Sequence, residues 1–593
     1  MSTSTPVLST PGWLAIAAAS APSLLAYNVS PSPTFLNQAL AVGLWGAFVA
    51  AAAWDTGAVR SASVRGAGPL LGAVGLMALA VGWSWGPGGL PASLALSALA
   101  LLLATAVLVL GAANARASVS AVPLFALFCA GWAVAGVLNT GIAAVQVFAP
   151  TWPDGDWIAR SGIPGRAVGN LRQPNHLSSL LLWSAIAVVA LLELRRLGWR
   201  WAAPLFAAMV FAVVLTASRT GVVSVGLLAL WGLADRRLSR PARALLVTAP
   251  LVYALAWYGM SAWAEASRHA FGGTARLAET DVSGSRFGIW ANSLALIRQN
   301  PWTGVGFGDF NFAWTLTPFP GRPTAFFDHT HNLPLQLAVE LGLPMAALVM
   351  ALLLWALWRA LAAAFGRDSV GDTGLAQRAA VLMVLMIGLH SMLEYPLWYA
   401  YFLLPAAWAW GFALGRPARA SAGPAAWVTR PALALAGVAL LVGSILSVAD
   451  YQRVAVIFSA PEDAPPLEQR IAAGQRSVLF SHHADYAAAT TSGLAAGTQP
   501  PFDGATHYLL DTRLMMAWAR ALASAGRVDE ARHLAARLRE FHNPVSDDFF
   551  DACEAAPAAA ASAAAPAASA PAPPPFQCLP PQRVPGWREF LAD

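Results

Sequence analysis

Up to about residue 450 the chain is a succession of long uninterrupted apolar runs broken by polar stretches. With a window of roughly 20 residues, the runs predict helices near 12–27, 35–54, 68–85, 92–112, 120–149, 174–194, 200–217, 220–234, 243–262, 331–357, 379–395, 397–414 and 431–449. Lipid offers no partner for a backbone N–H or C=O, so each run must satisfy its own peptide groups as a helix. The expectation is an all-α polytopic membrane protein with about thirteen spans. Two longer polar stretches, 150–173 and 263–330, interrupt the pattern, and after 450 the runs cease.

Composition agrees: 57% of the 593 residues are hydrophobic, only 11% are charged, and the mean hydropathy is +0.56, which excludes an ordinary soluble protein. The first run, beginning near Trp13, lacks a basic leader and reads as a span rather than a cleaved signal. The net charge of +6 invites a nucleic-acid reading, but all 36 basic residues are arginine and their placement follows the membrane instead. With the N-terminus on the cytoplasmic side, the inner loops hold Arg60, Arg65, Arg116, Arg195, Arg196, Arg200, Arg236, Arg237, Arg240, Arg243, Arg359, Arg367, Arg378, Arg416, Arg419 and Arg430. The short outer turns at 28–34, 86–91 and around Pro396 hold none, as the positive-inside rule requires. This orientation puts both long polar stretches and the tail outside.

The division expected is a transmembrane domain over 1–450 and a C-terminal helical module over 451–593. Within the module, Asp511 to Ala525 and Val528 to Glu540 read as two helices around a Gly526 break, similar to one tetratricopeptide-like pair. Residues 556–575 are Ala/Pro/Ser low complexity and read as a linker. Cys553 and Cys578 flank that tract. In an oxidising compartment they are free to pair and close it; two unrelated thiols is the alternative.

Candidate chemistry lies in the outer loops. Asn139 and Gln146 sit in the fifth run, as packing partners or as a site. Asp154 and Asp156 form a D-x-D, readable as a metal motif or as an Asx turn. Asn170 to His176 gathers amide, guanidinium and imidazole groups just before a span, where they are costly if unused. Arg219 has no acidic neighbour in sequence and either snorkels to headgroups or binds an anion. Arg286 opens a predicted helix over 285–297, where backbone N–H groups favour an anion. The glycines of Thr303 to Gly308 lack the Lys-Ser/Thr ending of a phosphate loop and suit a tight turn or a close backbone approach.

The stretch Phe327 to Gly342 is the most loaded. The outer face offers imidazoles at His176, His329 and His331, guanidiniums at Arg166, Arg172, Arg219, Arg286 and Arg322, and carboxylates at Asp328 and, just inside the membrane, Glu340. Arginine forks suit the oxygens of a diphosphate, and a histidine is a proton acceptor near neutral pH. Two other readings stand beside this one. His329 and His331 as zinc ligands lack a third ligand at recognisable spacing, and a histidine can simply cap the following helix.

The pattern His331-Asn332, Leu335, Glu340, Gly342 resembles the core of the O-antigen ligase and polymerase superfamily of bacterial membrane glycosyltransferases. Gln173-Pro174-Asn175-His176-Leu177, Asp328-His329-Thr330-His331-Asn332-Leu333-Pro334 and His390 to Tyr399, which contains Glu394-Tyr395-Pro396, resemble its protein O-oligosaccharyltransferases of the PglL type. The resemblance implies a GT-C-like fold and transfer of a preassembled glycan from undecaprenyl diphosphate, without a metal or other cofactor, to hydroxyls of an acceptor protein, a pilin-like protein among the candidates, outside the inner membrane. It implies His331 as the family's essential histidine and Arg219 and Arg286 as holders of the diphosphate; the mechanism these residues suggest has His331 as base and Arg166 or Arg172 helping the two arginines. His329, Asp328, Asn332, Gln173, Asn175, His176, Glu340, Glu394 and Tyr395 are supporting candidates. Lipid A-core or a growing polysaccharide remain as acceptors, and a transporter of lipid-linked sugars is the alternative of another class. Partners other than membrane lipid, glycan and acceptor are not implied, and nucleic acid is excluded.

Overall fold

The structure, a computed structural model, describes residues 10–55, 64–118, 120–274, 282–415, 430–491, 502–553 and 574–591. Arg60, Arg416, Arg419 and residues 556–573 of the low-complexity tract lie outside the described residues. Among the described residues there is no strand. The apolar runs form α1 (Thr10–Leu24), α2 (Phe35–Asp55), α3 (Gly68–Trp85), α4 (Ala92–Ala117), α5 (Ala121–Phe148), α6 (Pro174–Glu193), α7 (Trp199–Thr216), α8 (Arg219–Ala234) and α9 (Arg240–Ser267). The second polar stretch supplies α10 (Val282–Gln299) and the short α11 (Phe310–Leu316), followed by α12 (Leu333–Phe365), α13 (Gly371–Ser391), α14 (Ala400–Leu414) and α15 (Arg430–Phe458). Ten of these helices are long and apolar enough to cross a membrane, while α8 and α14 are apolar but shorter. All thirteen expected runs are helical, but only ten qualify as spans on length and apolarity, so a count of thirteen does not follow.

Chain contacts divide the protein into two compact units. The first takes Met1–Leu76, Ala100–Thr280 and Val349–Ala449; the second takes Met77–Leu99, Asp281–Leu348 and Asp450–Asp593.

In the first unit α6 is the central helix, apolar on every side and almost wholly buried, as such a helix has to be. It starts where Gln173 turns its side chain back onto the N–H groups of Asn175 and His176, with Pro174 in the first turn, where its missing N–H costs nothing. Trp45, Phe48, Phe125, Phe128 and Trp408 pack ring on ring in the core, Phe128 and Trp408 with centroids 4.5 Å apart. The polar residues of α5 join elements. Asn139 donates to Ser23 Oγ at 3.1 Å, and Gln146 accepts the Val168 and Gly169 N–H groups, both at 2.9 Å, while donating to the Ala159 carbonyl. They are packing partners. Asp154 Oδ1 accepts from the N–H groups of Asp156, Trp157 and Ile158, the Asx turn of the two sequence readings.

In the second unit α12 departs from helical geometry at Gly342, whose φ of 74° suits glycine. Pro344 has no N–H for the carbonyl of Glu340, and that carbonyl instead accepts from Gly306 at 3.0 Å. Val305 N–H donates to Val339 and Leu343 N–H to Pro301, at 2.9 and 2.8 Å. Gly304 and Gly342 come so close that a Cβ on either would overlap the other's segment. The glycine-rich stretch is thus a backbone bracket across a helix kink.

The tail adds α16 (Leu467–Gly474), α17 (Ser481–Thr490), α18 (Phe502–Thr506), α19 (Thr512–Ser524) and α20 (Val528–Phe541). The last two are the expected pair, α19 capped by Asp511 accepting from Leu514 N–H. Cys553 and Cys578 are bonded, with Cα atoms 5.2 Å apart across 25 residues. Closing a loop of that length contributes roughly 3 kcal/mol. Reduction of the native protein is therefore expected to lower the hydrogen-exchange protection of the peptides covering 512–541. Unchanged exchange would mean the bond carries no stability.

Candidate functional site

In the second unit the loop from Phe327 to Asn332 enters α12. Asn332 accepts the Leu335 N–H through its side chain at 3.0 Å and the Gln336 N–H through its carbonyl at 2.8 Å, so it is the helix cap. The buried Gln336 reaches back to accept the N–H of Thr330 at 2.7 Å, and Thr330 Oγ1 donates to the Asn332 carbonyl at 2.9 Å. Trp290 Nε1 holds the Thr330 carbonyl from α10 at 2.9 Å.

Between those clamped neighbours stands His331, half-buried and with a φ of 56°. A non-glycine residue in the left-handed region persists where its surroundings over-determine it, and such residues cluster at working sites. Its ring meets Phe327 edge on at 5.4 Å. His329 Nδ1 lies 3.0 Å from Asp328, whose side chain is half-exposed. Partial desolvation by its neighbours opposes ionisation of Asp328, but the adjacent His329, and more weakly His331, outweigh it and hold the carboxyl below its usual range. The loop therefore offers one imidazole in strained backbone beside a carboxylate–imidazole pair.

Arg286 is half-exposed in the first turns of α10, one helical turn before Trp290, the residue that grips Thr330. That places a guanidinium on the helix that holds the histidine loop. Glu340 is buried further along α12, beside the carboxylate of Asp309. Asp309 in turn pairs with His507.

The first unit carries a second arrangement, built around Arg219. Arg219 is exposed in the first turn of α8, following the αL residue Ala217 and the cap Ser218, whose Oγ accepts Gly221 N–H at 3.1 Å. Ser218 donates to Asn175 Oδ1 at 2.7 Å, and Asn175 Nδ2 donates to the Glu394 carboxylate at 3.1 Å. A buried relay from Glu394 through Asn175 thus fixes the helix start that presents Arg219. Gly221 permits it, because a Cβ there would press on Ser178 and Val213. His176 bonds Tyr401 at 3.1 Å and meets Tyr399 edge on, and Tyr395 stacks on Tyr399.

Arg166 is buried and its Nε donates to the Thr216 carbonyl at 2.9 Å. Arg172 reaches the carbonyls of Pro33 and Gly155, at 3.4 Å each. Arg322 is buried among Trp314, Phe319 and Phe541 and paired with Glu540 at 2.8 Å. Gln173 is a helix cap. The sequence assigned no role to Gln336, Thr330, Trp290 or Ser218, which fix the loops; capping spacing before α8 and α12 was the available signal. Among the described residues no group of three or more His, Cys, Asp or Glu side chains could share a metal ion.

Three family models match the chain: O-antigen ligase over residues 204–350, the C-terminal region of a virulence factor membrane-bound polymerase over 378–549, and protein glycosylation ligase over 167–192. The first spans Arg219, Arg286, His331 and Glu340, the second Glu394 and Tyr395, and the third Arg172 to His176. Two curated relatives from Acinetobacter baylyi are similar. One, a general O-oligosaccharyltransferase, is 28% identical over 261 residues, 42% of this chain and 43% of the relative. The other, a ComP-specific O-oligosaccharyltransferase, is 26% identical over 286 residues, 46% of this chain and 47% of the relative. The chain spans less than half the length of either relative it matches.

Proposed function

We propose that this chain, a member of the O-antigen ligase superfamily of the protein O-oligosaccharyltransferase type, transfers a preassembled glycan from undecaprenyl diphosphate to serine or threonine hydroxyls of acceptor proteins. The observation that carries the reading is His331 itself, an imidazole in left-handed backbone between Thr330, whose N–H is held by Gln336, and Asn332, whose carbonyl is held by the Thr330 hydroxyl. His331 takes the proton of the acceptor hydroxyl as it attacks the anomeric carbon. The bond from that carbon to the diphosphate breaks, and the configuration inverts. Neutralising the leaving diphosphate, where most of the barrier reduction arises, falls to Arg286 on the helix that holds the loop, and the family resemblance assigns Arg219 of the first unit to the same task. Asp328 and His329 flank the base, and Glu394 with Asn175 fixes Arg219.

The reaction face is the periplasmic side of the inner membrane, in accord with the arginine distribution. Arg166 and Arg172 have a lesser part, since their hydrogen bonds to backbone carbonyls tie down the loop between α5 and α6. Co-expression with a pathway that makes a lipid-linked glycan, together with pilin-like and lipid A-core acceptors, tests the reading. Mass spectrometry is expected to find the glycan on serine or threonine of the protein. Glycan on lipid A-core alone would replace this function with that of an O-antigen ligase.

A further inference from the structure

The C-terminal module grips the polypeptide that leads into the His331 loop at several points, all within the second unit. His533 Nε2 donates to the Leu316 carbonyl at the end of α11, at 2.8 Å. Phe541 stacks on Phe326 with centroids 3.9 Å apart and meets Trp314 at 5.5 Å. His507 pairs with Asp309 before α11 and stacks on Phe312 within it. Most of these contacts hold α11 and the segment after it. One side chain goes further. Asn311, 4% exposed, accepts the N–H of Leu510 in the tail through Oδ1 and donates to the carbonyl of Phe327 through Nδ2, both at 2.8 Å.

Phe327 opens the loop. Its ring lies edge on to Trp314 on one side and to His331 on the other. An amide side chain can accept from one backbone and donate to another at once, and burial makes loss of either bond expensive.

We propose that Asn311 is a positioning residue through which the C-terminal module holds the His331 loop in its working conformation. The proposal rests on His331 being the base, and it gives the module a part in catalysis distinct from presenting acceptors or capping the protein.

Asn311→Asp is the discriminating variant. It keeps the shape and the acceptor for Leu510 but, in its ionised form, cannot donate to Phe327, so exchange is followed at rising pH, where the carboxyl is ionised. Asn311→Ala removes both bonds; if that variant fails to fold, the aspartate form still decides. In the full-length protein, Asn311→Asp is expected to raise hydrogen exchange of peptides covering 326–332 roughly tenfold, with α19 and α20 unchanged. Transfer is expected to lose about tenfold in kcat with no change in KM for the acceptor.

Unchanged exchange in 326–332 would overturn the proposal, as would loss of protection through α19 and α20 together with the loop. A raised KM at constant kcat would overturn it in favour of acceptor presentation, and a loosened loop with unchanged kcat would overturn it too. The exchange measurement needs no turnover. A wild-type protein without transferase activity would therefore sink the proposed function while the exchange arm still decided whether Asn311 holds the loop.

Discussion

His331→Asn is expected to lower the rate of glycan transfer by roughly 10²- to 10⁴-fold, the range a positioned general base supplies. Asparagine is chosen because of the backbone. His331 has a φ of 56°, and asparagine adopts that region readily, whereas alanine would add left-handed strain to the loss of the imidazole. The Thr330 bonds to Gln336 and Asn332 do not involve the His331 side chain and should survive. Insertion, yield and donor binding are accordingly expected to match the parent. Turnover within a few fold of the parent, read as acceptor mass shift over time, would remove His331 from the chemistry and return it to the role of a helix-entry residue.

Arg219→Ala is expected to cost about 10²- to 10³-fold in turnover, as loss of one donor to a developing anion does. Arg219 is exposed in the first turn of α8, where unpaired backbone N–H groups already favour negative charge. Without an anion, a cation at that end of a helix is unfavourable, and the placement therefore fits the proposed contact with a diphosphate. Arg219→Lys should recover part of the rate, because charge is kept while the two-pronged hydrogen bonding is lost. Equal activity in the alanine and parent proteins would assign Arg219 to lipid headgroups instead.

The helices were legible because apolar length is the signal lipid imposes, and α1 to α9 and α12 to α15 fall on the runs read from sequence. The shortfall in spans comes from helices such as α8 and α14, whose runs are apolar but too short. The Asx turn at Asp154 was legible, since its partners are within four residues. The relay Glu394–Asn175–Ser218 was not, because its members lie 219 and 43 residues apart. Asn311 went unnoticed for that reason and one more: its partners lie 199 and 16 residues away, and both are backbone groups, which carry no residue identity. Gly304 and Gly342 were visible as glycines, yet only their mutual approach explains both.

The central claim is tested most directly with purified protein, a synthetic undecaprenyl diphosphate-linked glycan and a serine-bearing acceptor protein, following both substrates by intact mass. The acceptor should gain the mass of one whole glycan, as one equivalent of glycan-free undecaprenyl diphosphate appears. Consumption of the lipid-linked glycan with no gain on the acceptor, or no reaction while the donor is bound, would contradict it.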